Sequence, residues 1–165
     1  VVYVTVGTGI GMGVMSGGRI LYGSNHIEAG HMLLPRDVGD DFPGVCPFHS
    51  ECLEGLASGR SMEERWQMKA EDIGNTHQAW ALEAGYLAKA CVNLTLCYSP
   101  QRIILGGGVL QNKSLITKIQ REFIACSGGY PQDKEHNVGE YIVTAGLGGR
   151  AGVLGALELA RLAAA

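Results

Sequence analysis

The order of hydrophobic segments along these 165 residues is that of an α/β domain built on a mixed sheet. Three short β-branched runs come first, and a helix–strand–helix–strand–helix pattern follows. The 25 glycines fall in clusters between those runs. Clustered glycine marks turns and places where backbone comes close to a neighbour or a ligand.

Val1 to Val6 is β-branched and stops at Gly7-Thr8-Gly9. Ile10 to Met15 and Arg19 to Tyr22 follow, separated by Ser16-Gly17-Gly18. Runs joined by short glycine turns predict an antiparallel meander. From Gly23 to Pro47 the periodicity is weak, and only His31 to Leu34 reads as a strand. Ser61-Met62-Glu63-Glu64 is a capping box that should open a short helix through Met68. A long helix starts at Asn75 or Thr76, carries Ala79, Leu82, Tyr86, Leu87, Cys91 and Leu94 at helical spacing, and ends at Ser99-Pro100. Arg102 to Leu105 predicts a buried strand running into Gly106-Gly107-Gly108. Leu115, Ile116, Ile119 and Phe123 mark a second amphipathic helix, Tyr141 to Val143 another strand, and an Ala/Leu-rich helix runs to Ala164. The apolar face of that last helix is expected to lie partly uncovered, which favours self-association.

Net charge is −3 and hydrophobic content 46%, enough for an ordinary core and unlike a general nucleic-acid surface. No apolar run has the length of a membrane span. The five cysteines are an odd count, with no signal peptide in view, so the expected setting is reducing and cytoplasmic. Cys91, Cys97 and Cys126 read as small apolar residues, the first two on the stripe of the long helix.

Cys46 and Cys52 read differently. They flank a polar, proline-interrupted loop, Cys46-Pro47-Phe48-His49-Ser50-Glu51-Cys52, and His31 lies fifteen residues upstream. His31, Cys46, His49 and Cys52 are the ligand types and spacing of a tetrahedral zinc site. The competing reading is a Cys46–Cys52 disulfide, which the cysteine count and compartment disfavour. Four protein ligands leave no open position, so the expected metal is structural zinc. Gly7-Thr8-Gly9-Ile10-Gly11 is neither a Walker loop nor a dinucleotide fingerprint, but its amides and the Thr8 hydroxyl suit phosphate oxygens. Gly106-Gly107-Gly108 follows a buried strand, where α/β proteins commonly bind ligands. Either glycine cluster alone is also an ordinary turn. Asp37, Asp40 and Asp41 read as a solvated loop cluster.

Taken in order, these segments resemble the C-terminal lobe of ROK-family sugar kinases over nearly the whole chain. Thr5-Val6-Gly7-Thr8-Gly9-Ile10-Gly11 is similar to the family's second phosphate turn. Glu28-Ala29-Gly30-His31 matches its E-x-G-H motif, and the Cys/His loop followed by Leu53-Glu54 its zinc segment and sugar-binding glutamate. Ile104 to Val109 resembles the nucleotide-side glycine turn, and Ala151 to Ala156 the closing helix. The form Cys46-Pro47-Phe48-His49 with Cys52 is closest to the zinc-containing bacterial fructokinase branch. Met12 departs from the pattern, which has glycine there.

The resemblance implies an actin-like (RNase H-like) ATPase lobe, residues 1–165, with a zinc-binding segment at about residues 31–54. It implies transfer of the ATP γ-phosphoryl to a hexose, fructose foremost, in a homodimeric parent. Glu28, His31 and Glu54 would hold sugar hydroxyls, with His31 also a zinc ligand. Gly7, Thr8, Gly9 and Gly11 would meet the phosphates, Gly106, Gly107 and Gly108 would border the nucleoside, and Mg²⁺ would accompany ATP. The family's first phosphate loop and catalytic Asp belong to an N-terminal lobe. No D-x-G-G-T or G-N-D string occurs here. The catalytic base is therefore expected outside this chain, which should be inactive alone. The start at Val1, inside a core strand, reads as a piece of a longer protein. The alternative class is the sugar-sensing lobe of a ROK-type repressor, told apart by an upstream helix-turn-helix.

Overall fold

The structure, a computed structural model, describes residues 1–130 and 137–164. One five-stranded sheet organises it, with β1 (Val2–Val6), β2 (Ile10–Ser16), β3 (Arg19–Ile20), β4 (Ile103–Gly106) and β5 (Ile142–Thr144) in the order β3-β2-β1-β4-β5. The first three strands form the expected meander, with Val4 opposite Met12. β4 and β5 join in parallel, Val4 opposite Leu105 and Leu105 opposite Thr144. The sheet is therefore mixed, as the element order predicts.

Alternation along β1 buries Val2, Val4 and Val6 and leaves Tyr3 and Thr5 towards the other face. Helices α3 (Ala79–Tyr98) and α4 (Lys113–Cys126) pack together and share the core with Ile103, Leu105 and Ile142. Leu87, Leu94, Leu115 and Ile119 are among their buried contributions. α3 ends where expected, with Ser99 left-handed at φ 41° before Pro100. It begins at Ala79, later than Asn75 or Thr76, because the His77 ring accepts the Ala79 amide and holds the preceding turn open.

Four expectations near the N-terminal half are corrected. His31 to Leu34 is not a strand: residues 29–31 form a 3₁₀ turn, and only Leu33 pairs, with Cys52. A five-residue helix, α1 (Leu53–Ala57), was not expected, since five residues are too few to show a period. The next helix, α2 (Gly59–Trp66), starts before Ser61 and stops short of Met68. Ser58 caps it, its Oγ accepting the Ser61 amide at 3.2 Å, while Ser61 is buried and donates to the Ser58 carbonyl. Glu64 pairs with Arg60 instead of closing a capping box.

The aspartates are not simply solvated. The Asp40 side chain is buried, ion-paired to Arg65 at 3.1 Å and hydrogen-bonded by the Tyr86 hydroxyl, and Asp37 pairs with Lys89. Burial, reinforced by Asp40, pushes the Tyr86 phenol up to about 12, so it remains a neutral donor. Arg65 also donates to the Leu56 carbonyl at 2.8 Å and lies over the Phe42 ring, fastening the 37–42 loop to α1. Asp41 stays exposed. Of the three ordinary cysteines only Cys91 is buried; Cys97 and Cys126 are exposed.

A short helix, α5 (Val138–Tyr141), precedes β5. The final helix, α6 (Ala151–Ala163), has no buried residue and exposes Val153, Leu157 and Leu162, in keeping with the uncovered face the sequence suggests. No helix among the described residues is long and apolar enough to cross a membrane.

Candidate functional site

His31, Cys46, His49 and Cys52 converge although they come from three segments. His31 ends the 29–31 turn, Cys46 and His49 lie in the loop, and Cys52 caps α1. All four ligand atoms lie within 4.8 Å of one another. The Cys46 and Cys52 sulfurs stand 3.5 and 3.6 Å from His31 Nδ1. Zinc bonds of roughly 2.3 Å to sulfur and 2.0–2.1 Å to nitrogen, at tetrahedral angles, put S and N about 3.5 Å apart. The cluster therefore fits such an ion, and a disulfide is absent because all five cysteines are free. Ligation through Nδ1 leaves the His31 Nε2 for another partner.

Electrostatics at the two thiols differ. Burial pushes the Cys46 thiol up, but the His49 and Phe48 amides, with Cys52 and His31, outweigh it and leave it below its ordinary value. Burial pushes Cys52 up to about 11, against the opposing Gly55 and Glu54 amides.

Glu54 sits in the first turn of α1, two residues past Cys52, and is half-buried. Its Oε2 accepts the main-chain N–H of Ile10 at 2.8 Å. Ile10 opens β2, directly after Gly7-Thr8-Gly9. The E-x-G-H turn reaches the same residue from another side: a Cβ at Gly30 would stand 2.0 Å from the Ile10 carbonyl oxygen. Only glycine permits that approach. At the other end of the Gly7-Thr8-Gly9 turn, the Gly59 amide donates to the Gly7 carbonyl at 2.6 Å. Thus Glu54, in the first turn of α1, and Gly59, at the start of α2, pin both ends of Gly7-Thr8-Gly9.

Glu28 shares the 3₁₀ turn with His31, but its side chain is 61% exposed and pairs with His26. Gly7, Thr8 and Gly108 line one open cleft of about 860 Å³. Gly106, Gly107 and Gly108 border a second, of about 660 Å³, with Tyr3 and Thr144. Gly9 lies against Glu54, and Gly11 is a β2 residue paired with Thr5. Sequence reasoning missed Arg60, Glu63 and Lys69, which line the larger cleft together with Gly108. Nothing local could have announced them: they are ordinary charged residues placed by α2 and the turn after it.

The sequence profile of the ROK family matches residues 1–163. The chain belongs to the ROK family. A fructokinase of Pediococcus pentosaceus is 43% identical over 162 residues, covering 98% of this ROK chain and 56% of that protein. The ROK hexokinase of Thermus thermophilus superposes with a TM-score of 0.75 at 26% identity, over 97% of this chain and 58% of that one. A ROK glucokinase of Streptomyces griseus, solved with glucose and AMPPNP, shares the fold at a TM-score of 0.74 and 23% identity, over 98% and 60%. This ROK chain has the actin-like fold of its structural neighbours, and it spans a little over half the length of the relatives it matches.

Proposed function

We propose that the protein carrying this chain phosphorylates a hexose from Mg-ATP, with fructose becoming fructose 6-phosphate, and that residues 1–165 form the C-terminal lobe of that two-lobe kinase. The observation that carries it is the meeting at Ile10 of Glu54, Gly30 and the Gly7-Thr8-Gly9 turn. A sugar-holding carboxylate and a phosphate turn in direct contact are what transfer from nucleotide to sugar hydroxyl needs, because positioning dominates phosphoryl transfer. The fructokinase relative supports fructose as the acceptor.

Glu28, His31 and Glu54 accept or donate to sugar hydroxyls. Main-chain amides of Gly7, Thr8 and Gly9 face phosphate oxygens, and Gly106 to Gly108 border the nucleoside. Gly11, inside β2, supports the turn from the sheet. Zinc held by His31, Cys46, His49 and Cys52 would supply rigidity, and Mg²⁺ arriving with ATP would supply charge neutralisation. The general base comes from outside this chain. The protein works as a cytoplasmic homodimer in this reading. An intact Gly7-Thr8-Gly9 favours the kinase over the repressor reading.

The test is calorimetry on the full-length protein with fructose. Glu54→Gln keeps the shape but removes the charge, and should lose most of the affinity, about 1.5–3 kcal/mol for a charge-assisted bond. Fructose bound by that variant as by wild type would remove Glu54 from the site.

A further inference from the structure

We infer that Glu54 is a positioning residue for the phosphate turn, through which sugar occupancy and nucleotide affinity are coupled. The inference rests on the sugar-kinase reading and goes beyond it, since that reading asks of Glu54 only that it hold a hydroxyl.

The two oxygens of Glu54 have separate tasks. Oε2 takes the Ile10 amide at 2.8 Å, across 44 residues of sequence. Oε1 is left for a sugar hydroxyl. The carboxylate is also in contact with the turn itself: a Cβ at Gly9 would meet Oε2 at 2.6 Å. Glu54 cannot shift towards the turn without striking Gly9, and it cannot shift away without freeing the Ile10 amide.

The rest of α1 has little freedom to absorb such a shift. Its N-terminus is held by Cys52, whose sulfur accepts the Gly55 amide at 3.3 Å. Its C-terminal side is held by Arg65 on the Leu56 carbonyl. Gly59, two residues past α1, grips Gly7, where a Cβ would stand 2.8 Å from the carbonyl oxygen. A sugar hydroxyl that fixes the Glu54 carboxylate therefore fixes Ile10, and with it the spacing of the amides at Gly7, Thr8 and Gly9. By linkage the effect is reciprocal: nucleotide phosphates that order the turn order the sugar acceptor.

The experiment uses the full-length protein, with fructose and Mg-ADP as probes. Glu54→Ala removes both oxygens and should weaken Mg-ADP binding in the absence of sugar by roughly five- to 150-fold, the usual span of coupling between sites. Glu54→Gln retains an acceptor for the Ile10 amide and should bind Mg-ADP nearly as wild type while losing fructose. That split is not produced by general loosening of the fold. Gly9→Ala, a change in the phosphate turn, should weaken fructose binding without nucleotide, because its Cβ displaces the carboxylate. In unaltered protein, fructose alone should move the Ile10 amide resonance, a readout that needs no variant. If Glu54→Ala loses fructose but keeps Mg-ADP affinity, and the Ile10 resonance stays still, the coupling is wrong and the kinase reading stands. If Glu54→Ala binds both ligands as wild type, Glu54 leaves the sugar site and the coupling falls; if unaltered protein binds neither fructose nor Mg-ADP, the kinase reading falls.

Discussion

The sulfur of Cys52 accepts the main-chain N–H of Gly55 at 3.3 Å. One side chain thus belongs to the four-residue cluster and also caps α1. Thiolate is a stronger acceptor than thiol, so a metal-bound Cys52 caps the helix better than a free one. The cluster and the helix that carries Glu54 are consequently one mechanical unit.

Protein prepared without chelator should contain about one zinc per chain, as a closed four-ligand site predicts. Cys46→Ser should lose the metal and lower the melting temperature. Hydrogen exchange at the Gly55 and Leu56 amides should quicken in that variant and in chelator-treated wild type. Unchanged metal content and melting in Cys46→Ser would refute the assignment.

Gly30→Ala should destabilise the fold by about 1–3 kcal/mol, the usual result of overpacking. The added methyl would have to push back the Ile10 carbonyl, which lies 2.0 Å from its position. The urea midpoint of the variant against wild type measures it. A midpoint within error of wild type would mean that the two segments separate at no cost.

Glu83 lies buried on α3, and neither carboxyl oxygen has a hydrogen-bond partner among the described residues. Burial raises its pKa well above the ordinary 4.5, with Arg65 only partly opposing. The folded state therefore binds the proton more tightly than the unfolded one. Stability is full below pH 4.5 and declines as pH rises through the raised folded value. Glu83→Gln should match wild type in denaturant melts near pH 4, below the ordinary value of 4.5, and exceed it near pH 8. Equal stabilities at both values would show that Glu83 binds its proton no more tightly in the folded protein than in the unfolded chain.

The 165-residue chain by itself should show no turnover with fructose, ATP and Mg²⁺ in a coupled assay. It should also self-associate through α6, whose Val153, Leu157 and Leu162 are exposed. Leu157→Lys should shift its sedimentation towards monomer. Inhibitor-sensitive turnover absent from a Glu54→Ala control would mean that the base lies within these residues.

The cysteine–histidine cluster was readable in the sequence because ligand type and short spacing are local signals; the structure closes the same four residues. The meander, β4, α4 and the end of α3 were readable from period and breakers. Asp40 was misread because its partners, Arg65 and Tyr86, are 25 and 46 residues away. α1 escaped because its helicity comes from the Cys52 cap and from burial of Leu53 and Leu56, not from a repeating pattern. Glu54 took its sugar-binding role from the resemblance. Its hold on Ile10 is a tertiary contact that no spacing encodes. The glycines of E-x-G-H and of the phosphate turn were read as motif letters, and the structure gives them reasons in the atoms they face.

Those glycines bear on how such a protein can change over time. Gly30 and Gly59 face main-chain carbonyls where even a methyl group has no room, and a methyl at Gly9 fits only if the Glu54 carboxylate gives way. Drift by small steps in side-chain size is closed at these positions, so a saturation library should show a connected vein of intolerance through them. Arg60, Glu63 and Lys69 face open space in the larger cleft. A lineage changing what that cleft admits would have its freedom there, around a centre it cannot rebuild one residue at a time.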